Sequence, residues 1–447
     1  MGLQESLFQL RHRLPPRRLL RLIPTGTAPD RLDAGTGRGF DAAIDRAPPY
    51  DLRRPLPPPL RPHAVPSVLD ITKYFGETSG GIRTYLLEKA RYVTAHPALR
   101  QTIVVPGPHD ALIEADGVRV YRLRGPRIPA HPPYRFMLAT RSIGRIIVHE
   151  RPDLIEVGSP FLVPWLARRA ARPLGIPLVW FYHANFPRVL APDPVRSGLP
   201  RRAAAALAWG YVRIVGRLFR TVIVASEYAR QDLEAQGVGP VARVSLGVDV
   251  EHFHPRRRAD RASICRRFGL PDGPLALYVG RLAVEKDVDT LVAAWADVER
   301  RTGAHLVLMG DGPAAARLRS AAKATRITWI PFQPDRERVA NLLAAADLYV
   351  APGALETFGL APLEALASGT PVLCADRGAV RELIDASGAG ALFTARSAGA
   401  LAEAAIALFA SDLPELGARG RAYAEAHHRW ETVFDRLFDV YRSVLAS

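Results

Sequence analysis

Two carboxylates stand eight residues apart in Ala351-Pro352-Gly353-Ala-Leu-Glu356-Thr357-Phe358-Gly359-Leu360-Ala-Pro362-Leu363-Glu364. A strand there runs into a loop holding Glu356, and a helix starts near Gly359. Backbone N–H groups at such a start bind phosphate oxygens, aided by the helix dipole. Glu364 falls about one turn into that helix, so the two acids can hold hydroxyl-rich groups on either side of a phosphate. A second segment, Tyr278-Val-Gly280-Arg281-Leu282-Ala-Val-Glu285-Lys286, brings two cations off one strand end. Arg281 as a planar fork and Lys286 as a point charge can grip a diphosphate. Lys286 is one of four lysines (with Lys73, Lys89 and Lys323) among 60 basic residues.

Three further segments share that strand-to-helix arrangement. Met309-Gly310-Asp311-Gly312-Pro313 allows a tight turn and close backbone approach to a ligand, with Pro suited to a first helical turn. Gly80-Gly81 precedes a helix, so its amides can face the same phosphates from across a cleft. His183 follows Val179-Trp-Phe-Tyr182, where a histidine can bind a sugar hydroxyl or manage a proton. Taken singly, each segment also fits a plain turn, a solvated surface charge or a structural histidine. Asp287-Val-Asp289 spells the Asp-x-Asp of metal-dependent chemistry. It opens a helix, where acids suit the cap and dipole, so it is read as structural and no metal is expected.

Such residues need parallel sheets to position them. Short apolar runs alternate with helical periodicity from Val65 onward. Strands are predicted at Val65–Ile71, Thr102–Val105, Val118–Leu123, Leu154–Val157, Leu178–Tyr182, Val222–Ala225 and Arg243–Leu246, with helices at Ile82–Thr94, Tyr134–His149 and Ala203–Leu218. After a charged segment at His254–Asp260, a second series is predicted at Leu275–Val279, His305–Met309, Thr328–Pro331, Leu348–Ala351 and Val372–Cys374. The expected fold is α/β, two doubly wound domains facing each other across a cleft, with ligands at the carboxyl ends of the strands. The expected division is a basic tail at 1–62, a first Rossmann-like domain at 63–255, a second at 256–429 and a last helix at 430–447 that can cross back.

The chain has 447 residues, 48% hydrophobic and 23% charged, and a net charge of +16. That length suits two or three domains. Cys265 and Cys374 give no disulfide or metal-site spacing. Residues 1–62 hold eleven Arg and eleven Pro, so most of this zone is expected to be disordered. Leu3, Leu7, Leu10 and Leu14 fall at helical spacing beside Arg11 and Arg13, a short basic amphipathic patch. Basic residues from Arg11 to Arg21 and Pro15-Pro16 break every apolar run, and no run reaches bilayer length. A cytoplasmic location is therefore expected. Arg188, Arg196, Arg201, Arg202, Arg213, Arg217 and Arg220 cluster after His183 and suit peripheral contact with an anionic inner membrane face. Nucleic acid is not an expected partner, because aromatic content is 8% and the basic residues are spread without a recognition motif.

Together these segments resemble family 4 of the retaining glycosyltransferases, which adopt the two-Rossmann GT-B architecture. The resemblance runs from about Ser67 to Tyr441 and is most specific at Glu356–Val372, similar to the family's Glu-x7-Glu signature. Ser226-Glu-Tyr-Ala-Arg230 and Gly247-Val248-Asp249 also match. The resemblance implies a retaining, metal-independent transferase without a cofactor, moving a mannose- or glucose-type hexose from a GDP- or UDP-sugar to a glycan or lipid-linked acceptor. It implies that Arg281 and Lys286 neutralise the donor diphosphate, that Glu364 binds the ribose hydroxyls and that Glu356 contacts the donor hexose. Thr357, Phe358, Gly359 and Leu360 would help hold the donor, with Gly80, Gly81 and Gly310 lining its phosphates and His183 near sugar and acceptor. Before Gly247-Val248-Asp249 the family often has Pro-Asn, whereas this chain has Ser245-Leu246. A sugar-phosphate synthase or an epimerase would share the donor pocket, and a non-enzymatic nucleic-acid binder would use only the charge.

Overall fold

The computed structural model describes residues 43–60, 66–76, 80–115, 117–129, 134–190, 198–322 and 326–447. The proposed patch at Leu3–Leu14, together with Thr78, Ser79, Arg196 and Lys323, lies outside the described residues.

The first sheet contains β1 (Ser67–Ile71), β2 (Arg100–Gly107), β3 (Ala111–Ala115), β4 (Val118–Arg124), β5 (Leu154–Val157), β6 (Leu178–Phe181), β7 (Thr221–Val224) and β8 (Val241–Arg243). Its order is β3-β4-β2-β1-β5-β6-β7-β8, parallel except for the β3–β4 pair. The second contains β9 (Leu275–Val279), β10 (His305–Met309), β11 (Ile327–Ile330), β12 (Leu348–Ala351), β13 (Val372–Ala375) and β14 (Gly390–Phe393) in the order β11-β10-β9-β12-β13-β14, all parallel. In each sheet the chain winds outward from one strand and then restarts on that strand's other side. The switch falls between β1 and β5 in the first sheet and between β9 and β12 in the second. Crevices at such switch points take ligands, and every segment singled out above starts at or beside one of them.

The structure departs from the sequence pattern at several elements, among them β8, expected at Arg243–Leu246 and found at Val241–Arg243. The helix expected at Tyr134–His149 spans only Thr140–Glu150. Residues before it double back, with Ile128 N donating to Tyr134 O and Phe136 N to Pro126 O, both at 2.9 Å. The helix expected at Ala203–Leu218 runs Leu199–Gly216, starting early because Pro200 occupies its first turn, where a missing N–H costs nothing. Composition also misleads for residues 43–60, which pack on the first domain instead of extending as a disordered tail. Ile44 and Leu52 are buried, and Asp45 pairs with Arg83 at 2.9 Å. A proline-rich strap offers carbonyls without matching N–H donors, and basic side chains of the domain supply them. Arg119 donates to Pro58 O and His149 Nε2 bonds Pro57 O, each at 2.8 Å.

The last helix, Trp430–Ala446, packs against the helix Gly81–Ala95 of the first domain. Its Val433, Phe434, Leu437, Phe438, Tyr441 and Val444 are all buried. A bridge between Val248 and Arg429 marks the crossing, and Trp430 fills the space where a side chain at residue 247 would sit. No described helix is long and apolar enough to cross a membrane.

Candidate active site

The wall built by the second sheet begins with its glycines. Gly310 follows β10 at φ 145°, and a Cβ there would lie 1.9 Å from Gly280 O. Gly310 thus lets the loop after β9 rest on the loop after β10, with Gly280 N bonded to Met309 O and Leu282 N to Asp311 O. That contact sets where Arg281 and Lys286 leave the sheet. Gly359, at φ 98°, turns the chain from the loop after β12 into the helix Leu360–Ala367, and a Cβ would strike Val380. Ala379 N holds Glu356 O at 3.0 Å.

Lys286 Nζ is ion-paired with Glu356 Oε1, both about three-quarters covered. Arg281 pairs with Glu285, so both cations are held by acids of their own wall. Glu364 is half-buried, and burial pushes its carboxyl up to about 7 against the pull of Arg336. Arg336 itself bonds Glu88 of the first domain at 2.9 Å. The two acids of the motif therefore differ: Glu356 is bound to a lysine, and Glu364 titrates near neutrality. Asp287 and Asp289 are engaged locally. Asp287 takes no backbone amide as a cap; its carboxylate accepts from Thr290 Oγ1 at 3.0 Å, while Asp289 pairs with Arg317.

The wall built by the first sheet faces this one closely. The helix Gly81–Ala95 starts at Gly80 with no side-chain cap and no acid in its first turn, and Leu360–Ala367 starts likewise. A Cβ on Gly81 would lie 3.0 Å from Leu360 Cδ1, so the two uncapped starts meet. Both leave N–H groups unsatisfied at the positive ends of helix dipoles, an arrangement that favours an anion between them. Thr357 ties the walls together: its Oγ1 donates to His183 O at 2.7 Å, and its own O accepts from Ser226 Oγ at 2.8 Å. Nearby, Glu382 accepts from Glu227 N and Tyr228 N across the same junction, a contact that sequence reasoning missed.

His183 lies flat on Phe181, with ring centroids 4.2 Å apart and planes 3° apart, and edge-on to Tyr85 at 5.4 Å. Burial first, and then the charge of Lys89, hold its imidazole down to about 3. The ring is therefore neutral at physiological pH and can accept or donate one hydrogen bond without carrying charge. The loop after it is pinned by Asp232, which accepts from Asn185 Nδ2 at 2.7 Å and Arg188 Nε at 2.9 Å.

Below His183 lies an ionic cluster that the sequence reading did not assign. Asp70 and Glu156 are register partners on β1 and β5. Lys89, fully buried, reaches Asp70 at 2.6 Å, Glu156 at 3.7 Å and Tyr441 OH at 2.7 Å. Tyr441 in turn donates to Glu156, as does Tyr85 at 3.0 Å. Burial raises the Glu156 carboxyl above its usual range against the pull of Lys89. A signal was present: one acid at matching positions of two neighbouring apolar strands. The partner from the last helix, however, had no local signature.

Residues 79–252 match the family model described as Glycosyltransferase Family 4, and residues 261–427 match that of Glycosyl transferases group 1. A GDP-mannose-dependent alpha-(1-6)-phosphatidylinositol dimannoside mannosyltransferase of Mycobacterium tuberculosis is 34% identical over 324 residues, 71% of this chain and 82% of that protein. A GDP-mannose-dependent alpha-mannosyltransferase of the same organism is 33% identical over 357 residues, 76% of this chain and 85% of that protein. Among solved structures, a sucrose-phosphate synthase from Thermosynechococcus elongatus superposes with a TM-score of 0.66 at 22% identity. It covers 85% of this chain and 99% of the other.

Proposed function

The chain belongs to glycosyltransferase family 4, a hexosyltransferase of GT-B fold, and from that premise we propose that it transfers mannose from GDP-mannose, with retention and without a metal, to a lipid-linked acceptor. The observation that carries the reading is the meeting of two uncapped helix starts, at Gly81 and Leu360, beside the Lys286–Glu356 pair. The donor diphosphate would lie between those starts. Lys286 and Arg281 would turn from their acids toward it, stabilising the charge that grows as it leaves. Glu356, freed from Lys286, would take the hexose hydroxyls, and Glu364 the ribose hydroxyls. The relatives' use of GDP-mannose supports the choice of donor.

Glu356 is itself engaged by Lys286, which argues against its acting as a nucleophile. The acceptor hydroxyl would attack C1 from the face that the diphosphate leaves. The C1–O bond to the acceptor forms as the C1–O bond to phosphate breaks, and the acceptor's proton passes to the departing phosphate oxygen. Neutral His183, fixed by Thr357, would orient that hydroxyl by a hydrogen bond.

The outer face of the helix Leu199–Gly216 supports a lipid acceptor. Leu199, Leu207 and Ile214 are exposed beside Arg201, Arg202 and Arg213. Such a face can rest on an anionic leaflet. Flotation with anionic vesicles at low salt tests this, and absence of binding there counts against it.

The deciding experiment is a thermal-shift and turnover panel of GDP-mannose, UDP-glucose and their nucleotides, with and without chelator, on wild type and Glu356→Ala. Selective stabilisation by GDP and chelator-resistant turnover, lost in Glu356→Ala, are expected. No response to any nucleotide refutes the reading. A glycosyl-enzyme trapped on Glu356 refutes same-face attack, and a soluble sugar-phosphate product would favour a synthase.

A further inference from the structure

Of the three lysines within the described residues, two are held by carboxylates: Lys89 by Asp70 and Glu156, and Lys286 by Glu356. Lys73 is different. It stands two residues past the end of β1, at the switch point of the first sheet, where its amide donates to Ser159 Oγ at 2.9 Å. That bond joins the loop after β1 to the loop after β5. Gly158, in the latter, lies against both Thr72 and His183. Lys73 therefore shares a sheet edge with the histidine of the cleft.

Its ammonium sits 4.4 Å from the centroid of Phe161 and 4.9 Å from that of Tyr74. Among the described residues it has no carboxylate partner. The side chain is half-buried, and burial lowers its pKa below the usual lysine value. Ring faces attract a cation but replace only part of its lost hydration. A cation left in this condition fits an anion that arrives with a ligand. Tyr74 meets Tyr134 edge-on at 5.4 Å, and Tyr134 feels the charge of Arg281. Tyr74 and Tyr134 thus link the surroundings of Lys73 to those of Arg281.

The surroundings of Lys73 are apolar toward solvent. Phe161 is 40% exposed, and its close sequence neighbours Leu162 and Trp165 are 44% and 42% exposed. Phe161 also packs on Phe186 at 5.3 Å, so its ring is held in place. Inside is a cation, and outside is an apolar lip. A ligand matching both has a phosphate and a hydrocarbon part.

We propose that Lys73 is the anion subsite for the acceptor, taking the phosphate of an amphiphile whose apolar part lies over Phe161, Leu162 and Trp165. This rests on the glycosyltransferase reading above and names the chemistry of the second substrate. With the phosphate held at Lys73, hydroxyl groups on the same headgroup come toward His183 and the donor sugar.

The test is equilibrium binding by calorimetry at saturating GDP, which fills the donor subsite. Three probes separate the contributions: octyl phosphate, inorganic phosphate and the uncharged octyl glucoside. Octyl phosphate should bind wild type at least about ten-fold more tightly than either of the others, since charge and apolar area both contribute. Lys73→Met should weaken octyl phosphate about ten-fold or more, leave octyl glucoside within about two-fold and leave GDP affinity unchanged. Lys73→Arg should restore most of the loss, and Phe161→Ala should weaken octyl phosphate but not inorganic phosphate. Equal affinity of wild type for octyl phosphate and octyl glucoside overturns the proposal. So does a loss of GDP affinity in Lys73→Met, which would assign the lysine to the donor. Inorganic phosphate binding as tightly as octyl phosphate would remove the apolar half of the proposal. Failure of wild type to bind GDP, by contrast, tells against the donor reading, and the probe titrations without GDP still report on Lys73.

Discussion

The two sheets carry their charges in different places. In the second, β9 to β14 hold no acid, lysine or arginine, and the charged groups singled out near the cleft lie in the loops and helices that follow the strands. In the first, Asp70 and Glu156 sit within β1 and β5, and Lys89 closes on them from the covering helix. The second sheet, the donor wall of the proposal, thus has an apolar interior and carries its cations in partly exposed ion pairs. The first sheet has a buried ionic interior, locked by Tyr441 from the last helix. Lys286 is accordingly open to a ligand on one side, whereas Lys89 is a buried structural group on the other. Substitutions should separate the two.

The largest effect is expected from Lys89→Met. Removing the lysine leaves Asp70 and Glu156 facing each other in the core, and uncompensated buried charge costs about 3–5 kcal/mol. Urea unfolding should show that loss, while GDP affinity per folded molecule stays at the wild-type value. Full stability in this variant would mean the cluster is already neutral, and the contrast between the walls would fail.

Next is Lys286→Met on the donor wall. The residue is partly solvated and its pair replaceable by water, so stability should change little. Transfer should fall about 10²–10³-fold, the scale of losing one charge-stabilising group in the transition state. Steady-state rates with a saturating donor measure this. A stability loss comparable to that of Lys89→Met would erase the distinction.

These positions also show what the sequence made legible. Leu154–Val157, Leu275–Val279, His305–Met309, Leu348–Ala351 and Trp430–Ala446 were bounded correctly, because buried parallel strands and an amphipathic helix write their periods directly. β3 and β14 were missed. β3, Ala-Leu-Ile-Glu-Ala, is short and is fixed by its antiparallel pairing with β4, and β14 begins at a glycine. Within the candidate site, Arg281, Lys286 and Glu356 stood out because they closely follow strand ends, and Gly359 and Glu364 because they open, or lie about one turn into, the helix after β12. The structure brings His183 to Thr357 and Gly81 to Leu360, juxtapositions that no local pattern contains. Lys73 was counted among the lysines but given no role, since an unpaired cation shows only once its neighbours are placed.

A smaller effect is expected where the two walls meet. Glu364 is raised to about 7 by burial, while Arg336 draws it back and Glu88 and Asp249 push it up. Ribose hydroxyls donate to the charged carboxylate and so favour deprotonation. GDP affinity should therefore rise a few-fold between about pH 6 and 8 in wild type, as the carboxylate forms. Glu364→Gln keeps an acceptor oxygen without the titration, so its GDP affinity should be flat over that range. Calorimetry across pH measures both. A step that persists in Glu364→Gln would shift the titration to another group.

The smallest effect should come from Asp289→Asn, although the Asp-x-Asp spelling makes this the position that invites the boldest reading. Asp289 lies on the donor domain but points to Arg317 on the surface, and Asp287 is bonded to Thr290. An exposed ion pair contributes little, because solvent screens it and both side chains lose freedom in forming it. Asn at 289 should leave the melting temperature and the transfer rate, with or without chelator, indistinguishable from wild type. Were the rate to collapse and manganese to restore part of it, Asp289 would be a metal ligand. Charge on the leaving diphosphate would then be shared between the ion and Lys286, and the donor wall would depend on an acid in the same way that the first sheet's interior does.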